Sequence, residues 1–235
     1  MSNKYKIVEK IGHGAFGDIY KVINKKNGKF YAVKKLNSHY RRCFKELNFN
    51  KEFRHKNIIR YVDSFYDSQF LFIITELGEE DLYHKYYSYT KNLSLENIYS
   101  ILKDVANAIK YLHGKNIVHG DIKLENILCC PDDQYKLCDF GLAFYSKDMT
   151  HCPYKYNDLK IPEIKNGIWG KPTDIWCFGK TIKKLLLFYA IPKRKHLTAF
   201  GSVYSQLIQL RDLCMSDKYR DRPTIDLIVN HLNAE

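Results

Sequence analysis

Residues 118–128 read V-H-G-D-I-K-L-E-N-I-L, and the fold turns on how this stretch is interpreted. Apolar residues close both ends, while Asp121, Lys123 and Asn126 crowd into six positions between them. A carboxylate, an ammonium and a carboxamide so close together are not expected all to be buried, so the stretch predicts a loop held rigidly between two strand-like ends. Such a loop supplies a base, a cation and a neutral oxygen ligand at one place. It also puts a glycine, Gly120, directly before the base.

Downstream, K-L-C-D-F-G at 136–141 places Asp139 on a turn after a strand. Asn126 and Asp139 are hard oxygen ligands, suited to Mg²⁺ that bridges nucleotide phosphates. Asp121 is then available to orient a hydroxyl and take its proton, and Lys123 to neutralise charge on a transferring phosphoryl group. Upstream, I-G-H-G-A-F-G-D-I-Y at 11–20 sets Gly12, Gly14 and Gly17 in G-x-G-x-x-G order. A strand follows it rather than a helix, which separates it from a dinucleotide fingerprint and leaves a phosphate flap on a hairpin. Y-A-V-K-K at 31–35 puts Lys34 on the next strand, with a partner carboxylate in the helix beyond. Glu46 is the preferred partner and Glu52 the alternative. Such a pair would fix the ammonium against α- and β-phosphate oxygens.

Strands are expected over Tyr5–Ile11, Asp18–Ile23 and Phe30–Leu36, with Asn27-Gly28 as a hairpin turn. A basic helix follows, capped by Ser38 and running to about Phe53, and then strands over Arg60–Phe65 and Phe70–Thr75. Beyond Asp81 the pattern turns helical. Leu95, Ile98, Ile101, Leu102, Val105, Ala106, Ile109 and Leu112 follow helical spacing between Ser94 and His113. Short strands are expected at Asn126–Cys129 and Tyr135–Cys138, and later helices near Pro172–Tyr189, Ser202–Cys214 and Pro223–Leu232. A strand-rich part followed by a helix-rich part predicts two lobes with a cleft between them.

The 235 residues are 45% hydrophobic, enough for a substantial core, and carry a net charge of +12. The first 60 residues hold 16 basic against four acidic side chains, and the rest is neutral. That imbalance is read as a lysine-rich composition rather than a nucleic-acid surface, because no basic motif interleaved with aromatics appears. No apolar run reaches the length of a membrane span, the N-terminus has no apolar signal core, and Ser2 excludes the glycine that myristoylation requires. The seven scattered cysteines fit a reduced, cytoplasmic setting with free thiols. P-K-R-K at 192–195 is read as a solvated loop, with a nuclear import signal as the alternative.

These motifs, in this order, resemble the eukaryotic protein kinase family, specifically its Ser/Thr branch. They comprise Gly12/Gly14/Gly17, Lys34, Glu46, His119-x-Asp121-x-x-x-x-Asn126, Asp139-Phe140-Gly141, I-P-E at 161–163 and D-I-W-x-F-G at 174–179. The resemblance covers almost the whole chain and implies an α+β, bilobal protein-kinase fold as one domain over 1–235. Its N-lobe (1–76) would be a small antiparallel sheet with one main helix, joined by a hinge at about 76–80 to a larger, mainly helical C-lobe (81–235). It implies ATP and Mg²⁺ as cofactors, with Mn²⁺ as an alternative ion, and transfer of the γ-phosphoryl group to Ser/Thr hydroxyls of a protein substrate. Thr75 would stand at the gatekeeper position, before Glu76, Leu77 and Gly78 whose backbone would bind adenine. Asp81 would meet the ribose. Ile19, Ala32 and Leu128 would sandwich the adenine ring, with Ile11 opening the glycine loop. Glu163 and Arg222 would form a buried ion pair, and Asp174 would hold the loop around Asp121.

Departures from the pattern carry expectations of their own. Most family members have an arginine where Gly120 stands, which meets a phosphate on the activation loop; its absence opposite Ser146, Thr150, Tyr154 and Tyr156 implies a kinase that does not need loop phosphorylation. Asn50 replaces an apolar residue four positions after Glu46, an expectation of a looser helix and of an activator protein. Room for one good helix between Tyr189 and Pro223 implies a reduced docking region. A monomer is expected. The rival reading is a pseudokinase or decoy that binds a partner kinase or its substrate.

Overall fold

The computed structural model describes residues 3–14, 17–39, 41–87, 93–151, 161–189 and 197–234. Strands β1 (Tyr5–Gly14) and β2 (Gly17–Asn24) pair antiparallel, with Gly14 opposite Gly17 at the tip of the hairpin. Only glycine fits at 17, because a Cβ there would lie 2.0 Å from the Lys35 carbonyl oxygen. The turn through Asn27 and Gly28 leads into β3 (Phe30–Asn37), and α1 (Arg41–Glu52) follows. Ser38 does not cap this helix. Its hydroxyl and its N–H both bond the Gln69 carbonyl, at 2.8 and 2.9 Å, so the backbone is still tied to the sheet there. Strands β4 (Tyr61–Tyr66) and β5 (Phe70–Glu76) complete a five-stranded antiparallel sheet in the order β1-β2-β3-β5-β4.

Two-residue periodicity gives this sheet two buried faces. Tyr5, Val22, Val33, Phe72 and Ile74 cluster on one; Leu36, Leu71 and Ile73 pack with Cys43 and Leu47 of α1 on the other. The last turn of α1 and the residues after it leave the sheet: Phe49, Phe53, Ile58 and Ile59 join the large core of the second lobe.

That lobe starts at β6 (Glu80–Asp81) and α2 (Leu82–Tyr87). Helix α3 (Leu95–Gly114) is capped as its sequence predicts, Ser94 Oγ accepting from the Asn97 N–H at 3.1 Å. Its buried stripe contains every apolar residue expected from the spacing. Short strands β7 (Ile117–Val118), β8 (Ile127–Cys130) and β9 (Gln134–Leu137) follow, with β6, β8 and β9 forming a small sheet. Strand β10 (Phe144–Tyr145) pairs with β7, and β11 (Thr150–His151) with β12 (Ile168–Trp169). Helices α4 (Lys171–Leu187), α5 (Leu197–Cys214) and α6 (Ile225–Asn233) close the lobe, α4 lying against α3 and α5 and α6 against α3. A single α-helix, with one turn of 3-10 helix at Tyr219–Asp221, lies between α4 and α6 among the described residues, as expected, and no described helix is long and apolar enough to cross a membrane. The P-K-R-K stretch lies outside the described residues.

Candidate active site

Lys34 extends from the middle of β3, where the register sets it between Ile19 of β2 and Ile73 of β5. Its Nζ donates to Glu46 Oε1 at 2.7 Å and to Asp139 Oδ1 at 2.8 Å. Glu46 is therefore the partner, and Glu52 points elsewhere. Burial opposes the charge of Lys34, but the two carboxylates hold its proton above the usual lysine range. Burial also opposes the charge of Asp139, yet the Lys34 ammonium keeps that carboxyl below its ordinary range. Asp139 sits at φ 62°, a left-handed conformation uncommon for a residue with a side chain, and is fastened there by Lys34 and by the Gly141 N–H at 3.1 Å. Phe140 is buried between Phe53 and His119, at ring distances of 4.7 and 5.3 Å. Asn50 is buried too, but its amide donates to the Glu46 carbonyl at 2.9 Å. The polar side chain bonds its own helix, and Glu46 is engaged with Lys34.

The loop of residues 119–126 hangs from Asp174, which is fully buried near the start of α4. Asp174 accepts from the backbone N–H groups of His119 and Gly120, at 2.8 and 2.9 Å, and lies 2.9 Å from His113 Nε2. His119 is also wholly buried. Its Nδ1 accepts from the Asp121 N–H at 3.1 Å, so the proton resides on Nε2, which donates to the Cys138 carbonyl at 3.1 Å. One imidazole thus joins the backbone of Asp121 to that of the residue before Asp139. Lys123 Nζ and Asn126 Nδ2 both reach Asp121 Oδ2, at 2.8 and 2.9 Å. Asp121 and Asn126 are buried and Lys123 is part-exposed, so the expectation that the three would not share full burial holds through Lys123.

Other predicted residues lie on the neighbouring strands. Thr75 is opposite Ala32 across the β3–β5 ladder, and Ile19 is opposite Lys34. Leu128 pairs with Asp81, and Glu79 donates from its backbone to Cys129 at 2.8 Å. Gly78 sits so close that a Cβ would approach Leu128 to 2.9 Å. Ile11 is about half exposed beside the glycine hairpin. The Glu76 side chain turns away to Lys136 at 2.7 Å and Arg60 N at 2.9 Å, leaving only its backbone for the hinge role. Asp81 has a partner that was not foreseen. Its carboxylate caps α2 through the His84 N–H at 3.0 Å and lies 2.6 Å from His84 Nδ1. A D-x-x-H spacing at a helix start is the signal that could have shown it.

Gly120 has φ +79°, and a Cβ there would stand 3.1 Å from the Leu142 carbonyl and 3.5 Å from the Trp169 ring. Trp169 is fully buried against Phe144 and Val118. The space beside Gly120 is therefore filled by an indole. Gly120→Ala is expected to lower the unfolding free energy by about 1–2 kcal/mol, the usual cost of a left-handed non-glycine residue, as read from a urea titration. Ser146 is buried with its hydroxyl on the Asp148 carbonyl, whereas Thr150 is exposed on β11 opposite Trp169. Tyr154 and Tyr156 lie outside the described residues. Glu163 and Arg222 form the expected ion pair, bidentate at 2.6 and 2.7 Å.

The donor set fits a nucleotide-bound cation. Asn126 spends its amide nitrogen on Asp121, through the carbonyl at 2.8 Å and the carboxylate, so the carboxamide oxygen is its remaining ligand atom. Asp139 adds an ionised carboxylate. Among the described residues no group of three or more His, Cys, Asp or Glu could hold a metal alone, so phosphate oxygens and water would complete the shell.

The protein kinase domain family model matches residues 5–233. Calcium-dependent protein kinase 5 of Plasmodium berghei is 31% identical over 94% of this chain and 44% of its own length. The probable serine/threonine-protein kinase samkB of Dictyostelium discoideum is 33% identical over 79% of this chain and 34% of its own. The membrane-associated tyrosine- and threonine-specific cdc2-inhibitory kinase of Drosophila melanogaster is 30% identical over 94% and 45%. The chain spans less than half the length of each of these relatives.

Proposed function

This chain belongs to the protein kinase family, and from that premise we propose that it is a serine/threonine kinase that does not need phosphorylation of its activation loop. The observation that carries the reading is the joining of two ionic networks, Lys34–Glu46–Asp139 and Lys123–Asp121–Asn126, through the single buried ring of His119.

Lys34, held between two carboxylates, binds α- and β-phosphate oxygens of ATP, and the β1–β2 hairpin covers the phosphates with glycine backbone. Asn126 and Asp139 would hold Mg²⁺, which when bound neutralises charge on the triphosphate. The apolar side chains of Ile11, Ile19, Ala32 and Leu128 enclose the base below Thr75, and the backbone of 76–78 hydrogen-bonds its edge. Asp121 orients the acceptor hydroxyl of a protein substrate and takes its proton as the oxygen attacks in line. Lys123, whose proton Asp121 holds against the effect of burial, offsets charge on the phosphoryl group as it moves. The preference for Ser/Thr rests on Lys123 two residues beyond the base.

Independence from loop phosphorylation is supported by Gly120 and Trp169. No side-chain cation stands at 120 to receive a phosphate, and apolar packing with two strand pairs orders the described ends of the segment. The test is transfer of labelled γ-phosphate from Mg-ATP to Ser/Thr and Tyr peptides by phosphatase-treated protein and by Thr150→Ala. Incorporation into Ser/Thr peptides within twofold of the untreated rate is expected. Transfer abolished by phosphatase would reject phosphate independence, and none from any preparation that binds Mg-ATP would reject the enzyme.

A further inference from the structure

Lys45, Phe49 and Glu52 recur at i, i+4 and i+7 of α1, one stripe along the helix, and all three meet β10 or its side chains. Lys45 Nζ lies 5.9 Å over the Phe144 ring. Phe49 meets the Tyr145 ring at 5.2 Å. Tyr145 Oη donates to Glu52 Oε2 at 2.7 Å, a charge-assisted bond that joins residues 93 positions apart. Lys115, at the end of α3, reaches the other oxygen at 3.4 Å. The adjacent stripe of the helix bears the catalytic side: Glu46 on Lys34, and beyond the helix Phe53 on Phe140.

We propose that Tyr145 and Glu52 form a clasp that fixes the outer end of α1 to the activation segment and thereby positions Glu46 against Lys34. Both are positioning residues for phosphoryl transfer, and their part in the reaction rests on the function proposed above. Glu52 lies six residues, roughly 9 Å of helix, beyond Glu46. A helix fixed only at its Lys34 contact could swing about it; a second fastening at that distance removes the swing. Aromatic contacts continue the brace inward from Tyr145 to Phe49, Phe53, Phe140 and His119, so the clasp closes the open end of a run that reaches the catalytic loop. The Tyr145 ring is 61% exposed, which leaves its hydroxyl bond, not burial, as the fastening that fixes its position. The Glu52 carboxylate also keeps the hydroxyl protonated above the ordinary tyrosine range, so it remains a donor at working pH.

Tyr145→Phe keeps the ring and deletes the bond; Glu52→Gln keeps the shape and deletes the charge. The full chain and both variants, with the double variant, are compared by amide exchange over residues 41–52, by Mg-ATP affinity from calorimetry, and by phosphoryl-transfer kinetics. Each single variant is expected to speed α1 exchange about fivefold and to weaken Mg-ATP binding about three- to fivefold. The rate at saturating ATP should change less than twofold, and the double variant should be no worse than the singles. A merely structural role would lower melting temperature and kcat together and leave KM in place. Unchanged exchange and affinity in Tyr145→Phe, or effects that multiply in the double variant, would overturn the clasp. If wild type transfers no phosphate while exchange and affinity respond as stated, the clasp stands and the enzymatic reading fails.

Discussion

Asp121→Asn is expected to lower the phosphoryl-transfer rate by about 1,000-fold while leaving Mg-ATP affinity within twofold. General base catalysis typically contributes 10² to 10⁴, and this substitution removes the base with almost no change of shape. The new carboxamide oxygen can still accept from Lys123 and Asn126, which now bond Asp121 Oδ2 at 2.8 and 2.9 Å, so the loop keeps its geometry. Lys34 keeps its bonds to Glu46 and Asp139, so its hold on the phosphates is retained. Single-turnover transfer at saturating ATP, with a melting curve as control, measures the effect. A rate within tenfold of wild type would mean that the acceptor hydroxyl loses its proton elsewhere.

Arg222→Met should destabilise the fold by about 3–5 kcal/mol, the usual result of stranding one charge of a buried pair. Arg222 is 6% exposed, and its guanidinium holds both oxygens of Glu163 together with the carbonyls of Pro172 and Ser216. Methionine fills the volume and satisfies none of them. For a chain of this size the loss corresponds to a fall in Tm on the order of 10 °C. Adding Glu163→Gln should recover part of it, because the stranded carboxylate disappears; Thr173, which donates to Glu163 Oε1 at 3.0 Å, can still bond the amide oxygen. A double variant less stable than Arg222→Met would show that the cost lies in the unmet Pro172 and Ser216 carbonyls rather than in the unpaired charge.

The parts of the fold legible in the sequence are those where local pattern and tertiary need coincide. α3 was readable end to end because Ser94 caps it and its apolar residues keep helical spacing throughout. The choice of Glu46 over Glu52 was readable as a preference, and the structure explains the ambiguity: both carboxylates are engaged, one with Lys34 and one with Tyr145. Ser38 misled because a serine before a helix also suits a strand end, and its bond partner, Gln69, is 31 residues away. The partner of Asn50 was not legible for a related reason: its amide turns back on its own helix, which spacing cannot reveal. Gly120 was legible as a missing cation, but not the indole of Trp169 that fills the space, since the two residues meet only through the fold.

The suspension of the loop from Asp174 bears on motion. Because the carboxylate takes the His119 and Gly120 N–H groups directly, the loop is part of the α4 body, and it cannot shift relative to α4 without breaking both bonds. Those two amides are sealed from solvent by fully buried neighbours, so local fluctuation cannot expose them to exchange with water. They should be the slowest-exchanging protons outside regular secondary structure, released only when the whole lobe unfolds, and their protection gives a site-resolved gauge of its global stability.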